Sequence, residues 1–149
     1  VPFSVTVVGQ FNNPPLYWRV RTKDALVEVG VSATNGLVRS LVLTAISSSG
    51  LTLSTDSRHL PVRTGVPRVD TSIWRPRPGF ESRFVEVNAA PALVRGDSEA
   101  TLYLSDARPA SWTGSSRVRF GVTASSHLCG VQLCSLSPAE IRTIAEGTR

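Results

Sequence analysis

The chain has 149 residues, 41% of them hydrophobic and 18% charged, with a formal net charge of +5. That length matches one domain and lets a chain bury roughly 68–70% of its unfolded surface, so a core can form without metal or disulfide. The composition excludes a disordered or fibrous chain, and no apolar run approaches the roughly 20 residues that span a bilayer as a helix.

Residues 3–8 alternate (Phe3-Ser4-Val5-Thr6-Val7-Val8) and predict a first strand. Asn12-Asn13-Pro14-Pro15 is a loop signal, and 16–21 is a strand rich in β-formers. Leu26, Glu28 and Gly30 alternate with Val27, Val29 and Val31; Asn35-Gly36 then turns the chain, since both residues tolerate φ > 0. The return strand, 37–46, is expected to show Leu37, Arg39, Leu41 and Leu43 on one face and Val38, Val42 and Thr44 on the other. A Ser-rich turn ending at Gly50 leads to a short strand at 51–53.

From 54 to 79 the periodicity fades, and Pro61, Pro67, Pro76 and Pro78 mark a long irregular connection with a short strand at 60–63. Arg75-Pro76-Arg77-Pro78-Gly79 is expected to be extended, because a residue before proline avoids the helical region. Strands are predicted again at 80–87 and 100–104, and a last hairpin at 117–123 and 128–133. Ser137-Pro138-Ala139-Glu140 matches a helix capping box with proline at the first helical position. Ile141, Ile144 and Ala145 form an apolar stripe behind it, and Gly147 is placed to cap the end. These elements define a single domain, 1–149, of α+β, mainly β class: an antiparallel sheet of hairpins, sandwich or partly closed barrel, with one short C-terminal helix.

Cys129 and Cys134 lie five apart in one predicted strand, where side chains point to opposite faces. Two free thiols are therefore expected, which favours a reducing, cytoplasmic setting. The chain has fifteen Arg but one Lys, Lys23, and no Met, a usage that points to a GC-rich bacterial genome with Val1 as a valine-read GTG start. Charge is uneven: six Arg fall between Arg58 and Arg83, whereas five acids fall between Glu81 and Asp106.

Val29-Gly30-Val31-Ser32-Ala33-Thr34-Asn35-Gly36-Leu37 is echoed by Phe120-Gly121-Val122-Thr123-Ala124-Ser125-Ser126-His127-Leu128. The second return strand resumes its phase one residue sooner, and a bulge at Gly130 would account for that. The echo is either a duplicated hairpin or shared local chemistry. Residues 24–31 with 35–43, and later 120–137 with the following helix, resemble small bacterial immunity-type proteins encoded beside polymorphic or contact-dependent toxins. The resemblance covers about a third of the chain and transfers no functional residue, because such families share no single binding site. It implies a protein that binds and masks a toxin domain. The positive net charge departs from the acidic character of many such proteins and implies a toxin with an acidic face.

Few residues suggest catalysis or metal binding. His59 and His127 are the only histidines, and His127 with Cys129 and Cys134 lacks the paired spacing and fourth ligand of a zinc site. There is no Gly-x-Ser-x-Gly elbow, phosphate loop, dinucleotide fingerprint or His-Glu-x-x-His. No enzyme activity, cofactor or metal is expected. Tryptophan and arginine dominate binding hot spots, so Trp74 beside Arg75 and Arg77, together with Trp112 in a second loop, are the candidate partner-binding residues; the alternative for each tryptophan is that it pins its loop onto the core. The expected function is a cytoplasmic protein-binding module, most specifically an immunity protein. Alternatives are an anion- or nucleic-acid-binding β domain using Arg63, Arg68, Arg75 and Arg77, and an enzyme built around His59.

Overall fold

The computed structural model of the chain describes residues 3–47, 51–53, 59–74 and 82–147. Twelve strands and one α-helix lie among them. In chain order these are β1 (Phe3–Thr6), β2 (Leu16–Arg21), β3 (Leu26–Val31), β4 (Val38–Ala45), β5 (Leu51–Leu53) and β6 (Val62–Thr64), then β7 (Phe84–Asn88), β8 (Ala92–Arg95), β9 (Ala100–Tyr103), β10 (Ser111–Gly114), β11 (Val118–Val122) and β12 (Leu128–Leu133). A 3-10 turn, Thr71–Trp74, precedes β7, and the helix α1 is Pro138–Glu146.

The strands form two open sheets, one ordered β1-β4-β3-β2-β7 and the other β5-β8-β9-β12-β11-β10-β6. The mainly β class with one C-terminal helix is as the sequence predicts, but the sheet is not purely antiparallel. Strands β2 and β7, β5 and β8, and β6 and β10 pair in parallel. Parallel neighbours need a crossover rather than a tight turn, and here long connections supply it. The inner faces share one apolar cluster: Val20, Val27, Val29, Leu41 and Leu43 from the first sheet meet Leu93, Leu102, Phe120 and Val131 from the second, all nearly inaccessible. This is a two-layer sandwich, since both sheets bury one face in a common core.

The hairpin β3–β4 forms as expected, with two corrections. Its loop closes over four residues: Ser32 N–H donates to the Leu37 carbonyl and Gly36 N–H to the Ser32 carbonyl, both at 2.9 Å. Its faces also differ from simple alternation. Gly30 opposes Ser40 while Val31 opposes Val38, leaving Arg39 as the extra residue of a bulge. Val38 is thereby turned to the core with Leu41 and Leu43, and all three are fully buried. The β11–β12 hairpin repeats the device: Gly121 opposes Gly130 and Val122 opposes Leu128, so the bulged residue is Cys129 rather than Gly130. Both bulges stand opposite the same Gly-Val step of the echoed sequence.

Strand β10 lies where a loop was expected, β8 lies in a stretch for which the sequence predicts no strand, and β1 ends at Thr6 with Val8 98% exposed. The predicted 60–63 strand is β6, displaced by one to two residues. Residues 75–81 lie outside the described residues, as do 54–58.

Glycine 36 is required by its surroundings. Its φ is +72°, and a Cβ there would stand 2.3 Å from the Val69 carbonyl oxygen. Segment 67–69 packs against this turn: Val69 N–H donates to the Gly36 carbonyl at 2.7 Å and Val38 N–H to the Pro67 carbonyl at 3.1 Å. Gly36→Ala is expected to lower unfolding stability by about 1–3 kcal/mol, read from urea denaturation.

The C-terminal helix starts on the predicted capping box. Ser137 N–H donates to Glu140 Oε2 at 2.7 Å, and Glu140 N–H returns to the Ser137 hydroxyl at 3.3 Å. Ile144 is buried in the shared core and Ile141 packs against it. Gly147 ends the helix in a right-handed conformation, φ −76°, so its special freedom is not used there. The Ser137 backbone N–H, followed by the Ser137 hydroxyl and the Arg117 guanidinium, holds the Glu140 carboxyl at about 2, down from 4.5. A carboxylate lowered by folding stabilises the fold fully above its unfolded value and loses that contribution as pH falls through its folded value. Helical circular dichroism is therefore expected to weaken as pH drops from about 4.5 toward 2, and Glu140→Gln to flatten that part of the acid titration.

Candidate functional site

The outer face of the five-stranded sheet is built by period-two alternation. In β2, Leu16, Trp18 and Val20 face the core, so Tyr17, Arg19 and Arg21 face outward. In β7, Val85 and Val87 pack on the core while Phe84 and Glu86 are exposed. Parallel pairing sets Tyr17 beside Phe84 and Arg19 beside Glu86, and antiparallel pairing sets Arg19 beside Glu28 of β3.

These side chains form one connected surface cluster. The Tyr17 and Phe84 rings stack with centroids 5.2 Å apart and planes inclined by 12°. The Arg19 guanidinium lies 3.9 Å from the Phe84 ring centre, and its Nε donates to Glu28 Oε2 at 2.8 Å. Arg21 reaches Glu86 at 3.6 Å. Gly30 leaves room beside Tyr17: a Cβ there would lie 3.7 Å from the Tyr17 ring and 2.4 Å from the Ser40 hydroxyl. Phe84 remains 43% exposed, a large apolar ring at the centre of paired charges.

Distant residues hold this face in place. The Trp74 indole N–H donates to the Tyr17 carbonyl at 3.0 Å, and Tyr17 N–H donates to the Arg83 carbonyl at 2.7 Å. The Arg83 side chain donates to the carbonyls of Pro14 and Pro15.

For both tryptophans the structure shows the packing alternative and not an exposed anchor. Trp74 is 7% exposed and joins the core cluster, so it fastens the 3-10 turn to β2 instead of standing out as an anchor. Trp112 is a residue of β10, 6% exposed; its ring covers Gly121, where a Cβ would lie 2.9 Å from it, and Pro109 closes over the same point. Both indoles are enclosed because each has a backbone-level gap or carbonyl to fill. Arg75 and Arg77 lie outside the described residues. Fluorescence emission from the folded protein is expected to be blue-shifted and weakly quenched by iodide, with quenching restored on denaturation.

The remaining candidates are scattered. Arg63 is exposed on β6, His59 is exposed before it, and Arg68 bridges to Leu37. His127 Nδ1 lies 3.0 Å from the Ser125 hydroxyl within the β11–β12 turn. Cys129 and Cys134 are free and buried, and burial pushes both thiols upward. No group of three or more His, Cys, Asp or Glu side chains able to hold a metal lies among the described residues. No helix of the described residues is long and apolar enough to cross a membrane.

A second surface feature is a cleft of about 520 Å³ where β1, β11, β12 and α1 meet. Val5, Val118, Leu133, Leu136 and Ile144 supply apolar walls, and the Arg117–Glu140 pair at 2.8 Å stands at its side.

The sequence missed the Tyr17, Arg19, Phe84 cluster although half of its signal was present. Alternation within 16–21 already puts Tyr17, Arg19 and Arg21 on one face. Their meeting with Phe84 depends on a parallel pairing across more than sixty residues of chain, for which no local signal exists. No protein-family model and no curated protein matches the chain.

Proposed function

We propose that the protein is a binding module that acts by occupancy rather than catalysis, and specifically that it neutralises a cognate toxin domain by covering it stoichiometrically. The outer face of the five-stranded sheet is the contact surface, and the exposed Phe84 ring between Tyr17 and Arg19 is the observation that carries this reading. An exposed aromatic flanked by arginine and tyrosine is the residue mixture that concentrates binding energy at protein interfaces. The paired charges around it, Arg19–Glu28 and Arg21–Glu86, give a polar rim whose bonds are already satisfied before a partner arrives. A net charge of +5 favours a partner with an acidic face.

The nucleic-acid reading finds less support on this face. Tyr17 and Arg19 already engage the Phe84 ring, which leaves little of its π-face for a base, and both arginines are paired with carboxylates.

The test starts from the neighbouring genes: the proposal expects a toxin domain to be encoded beside this chain, co-expression to rescue growth from it, and the two purified proteins to form a one-to-one complex. Phe84→Ala is expected to weaken that complex about thirtyfold or more, which corresponds to a hot spot of about 2 kcal/mol, without altering the thermal midpoint by more than a few degrees. Absence of a complex, or salt-sensitive binding to DNA or RNA in its place, would overturn the proposal.

A further inference from the structure

The echo between the two hairpins extends to whole units. In the first sheet β1-β4-β3-β2 sets the first, fourth, third and second of four consecutive strands side by side, and β7 joins β2 in parallel. In the second sheet β9-β12-β11-β10 repeats that order with the same antiparallel pairings, and β6 joins β10 in parallel. The registers match as well. One row across the first sheet is Phe84, Tyr17, Gly30, Ser40, Thr6. The corresponding row across the second is Val62, Trp112, Gly121, Gly130, Tyr103. Both rows face away from the shared core, because the residues beside them, Val29 and Leu41 in one sheet and Phe120 and Val131 in the other, point into it. Tyr17 and Trp112 hold the same place: each is opposite a glycine and three residues after a proline, Pro14 or Pro109.

The two rows differ in what lies on them. The second half of the chain covers its own row. A Cβ on Gly121 would stand 2.9 Å from the Trp112 ring and 3.2 Å from the Pro109 Cβ, and Trp112 is 6% exposed. Arg108, in the same segment, lies 4.4 Å from the Tyr103 ring centre. In the first half, Arg83 holds the carbonyls of Pro14 and Pro15. The nearest neighbours of a Cβ on Gly30 are the Ser40 side chain and, at 3.7 Å, the Tyr17 ring, with no proline among them. The first half therefore keeps the aromatic beside the glycine but lacks the proline laid over it. What a row of this kind accepts is shown within the same molecule. Proline suits the place: its ring is apolar, it has no N–H to leave unpaired, and the extended segment it imposes loses little entropy on docking to an aromatic.

We propose that the two halves are copies of one four-stranded unit, and that the open row of the first takes a proline-bearing extended segment of the partner protein, seated over Gly30 against Tyr17. The inference rests on the outer face of the first sheet being the contact surface, and it names the chemistry that meets that face. The Ser40 hydroxyl, which has no counterpart at Gly130, stands beside the seat as a donor for the carbonyl preceding the proline. Phe84 borders the seat through its stack on Tyr17.

The probe is the peptide acetyl-Ala-Arg-Pro-Ala-Ser-amide, the sequence of residues 107–111, titrated into the isotope-labelled full chain and followed by amide chemical shifts. Shifts are expected to concentrate at Tyr17, Gly30 and Ser40 and to saturate with a Kd of about 1 mM. The same peptide with alanine for proline is expected to bind at least about fivefold more weakly. Gly30→Ala puts a methyl in the seat, where the Ser40 hydroxyl can rotate away from it, and is expected to weaken binding by a similar factor with little change in thermal midpoint. Tyr17→Leu, which keeps apolar bulk and removes the ring, is expected to do the same and serves if Gly30→Ala does not fold. Shifts that are absent, spread over the surface or equal for the two peptides overturn the proposal, as does a folded variant that binds like wild type. A toxin complex weakened by Phe84→Ala, with no peptide binding at Gly30, overturns this inference alone. Peptide binding at Gly30 with no toxin complex supports the proline seat and overturns the toxin reading alone.

Discussion

The parallel pairing of β2 with β7 is the constraint on which the first sheet depends. It joins residues 17–21 to 84–88, so the intervening chain builds β3 and β4 within the same sheet, leaves it to contribute β5 and β6 to the second sheet, and returns. Two contacts secure that return: the Trp74 indole on the Tyr17 carbonyl, and the Arg83 guanidinium on the Pro14 and Pro15 carbonyls. Both address main-chain oxygens at the start of β2, so they fix the register of β7 and not merely its proximity. Once Phe84 is opposite Tyr17, the outward ladder from Gly30 through Tyr17 and Phe84 to Arg19 and Glu28 follows from the period of two.

Arginine has a larger structural part than a count of surface charge implies. Arg39 donates to the Asn13 carbonyl and lies 4.2 Å from the Phe11 ring centre. Arg108 donates to carbonyls of its own loop and covers Tyr103, and Arg117 joins the Ser135 carbonyl to Glu140. A guanidinium offers five donors in a rigid plane, so one side chain can satisfy several loop carbonyls while its stem packs on a ring. Lysine could not do this. The near-absence of lysine, read in the sequence as a trace of codon usage, also suits a protein whose irregular segments are fastened from the side.

Local signals carried much of the fold and little of the site. The capping box at Ser137 and Glu140 and the alternation of 26–31 act between near neighbours and appear where the residues place them; the turn at Asn35-Gly36 also forms, but as a four-residue loop in which Gly36 takes the positive φ. Strand β10 was hidden because Ser111-Trp112-Thr113-Gly114 is short and ends in glycine; it is held between β11 and β6, the latter nearly fifty residues away in sequence. The same non-locality misplaced Val38, whose burial needs the bulge at Arg39. The tryptophans leave two readings open for a related reason. Their large apolar surface is equally suited to an interface and to a gap over glycine, and Gly121 is the neighbour that decides the matter for Trp112. Phe84 offered no sequence signal of exposure, since one strand face cannot be told from the other without its partner.

The seat of Val69 on Gly36 has a consequence for the order of assembly. The β3–β4 hairpin joins residues adjacent in sequence, so its closure costs little chain entropy and it can form early. Once formed, its turn offers the Gly36 carbonyl and the Val38 N–H as a ready landing strip for 67–69. Arrival of that segment divides one very long loop into two shorter ones and brings the Trp74 turn near β2 before β7 has paired. A glycine at the tip of a local hairpin thus serves as a waypoint for the most distant pairing in the sheet, and the slow search for β7 becomes two shorter searches.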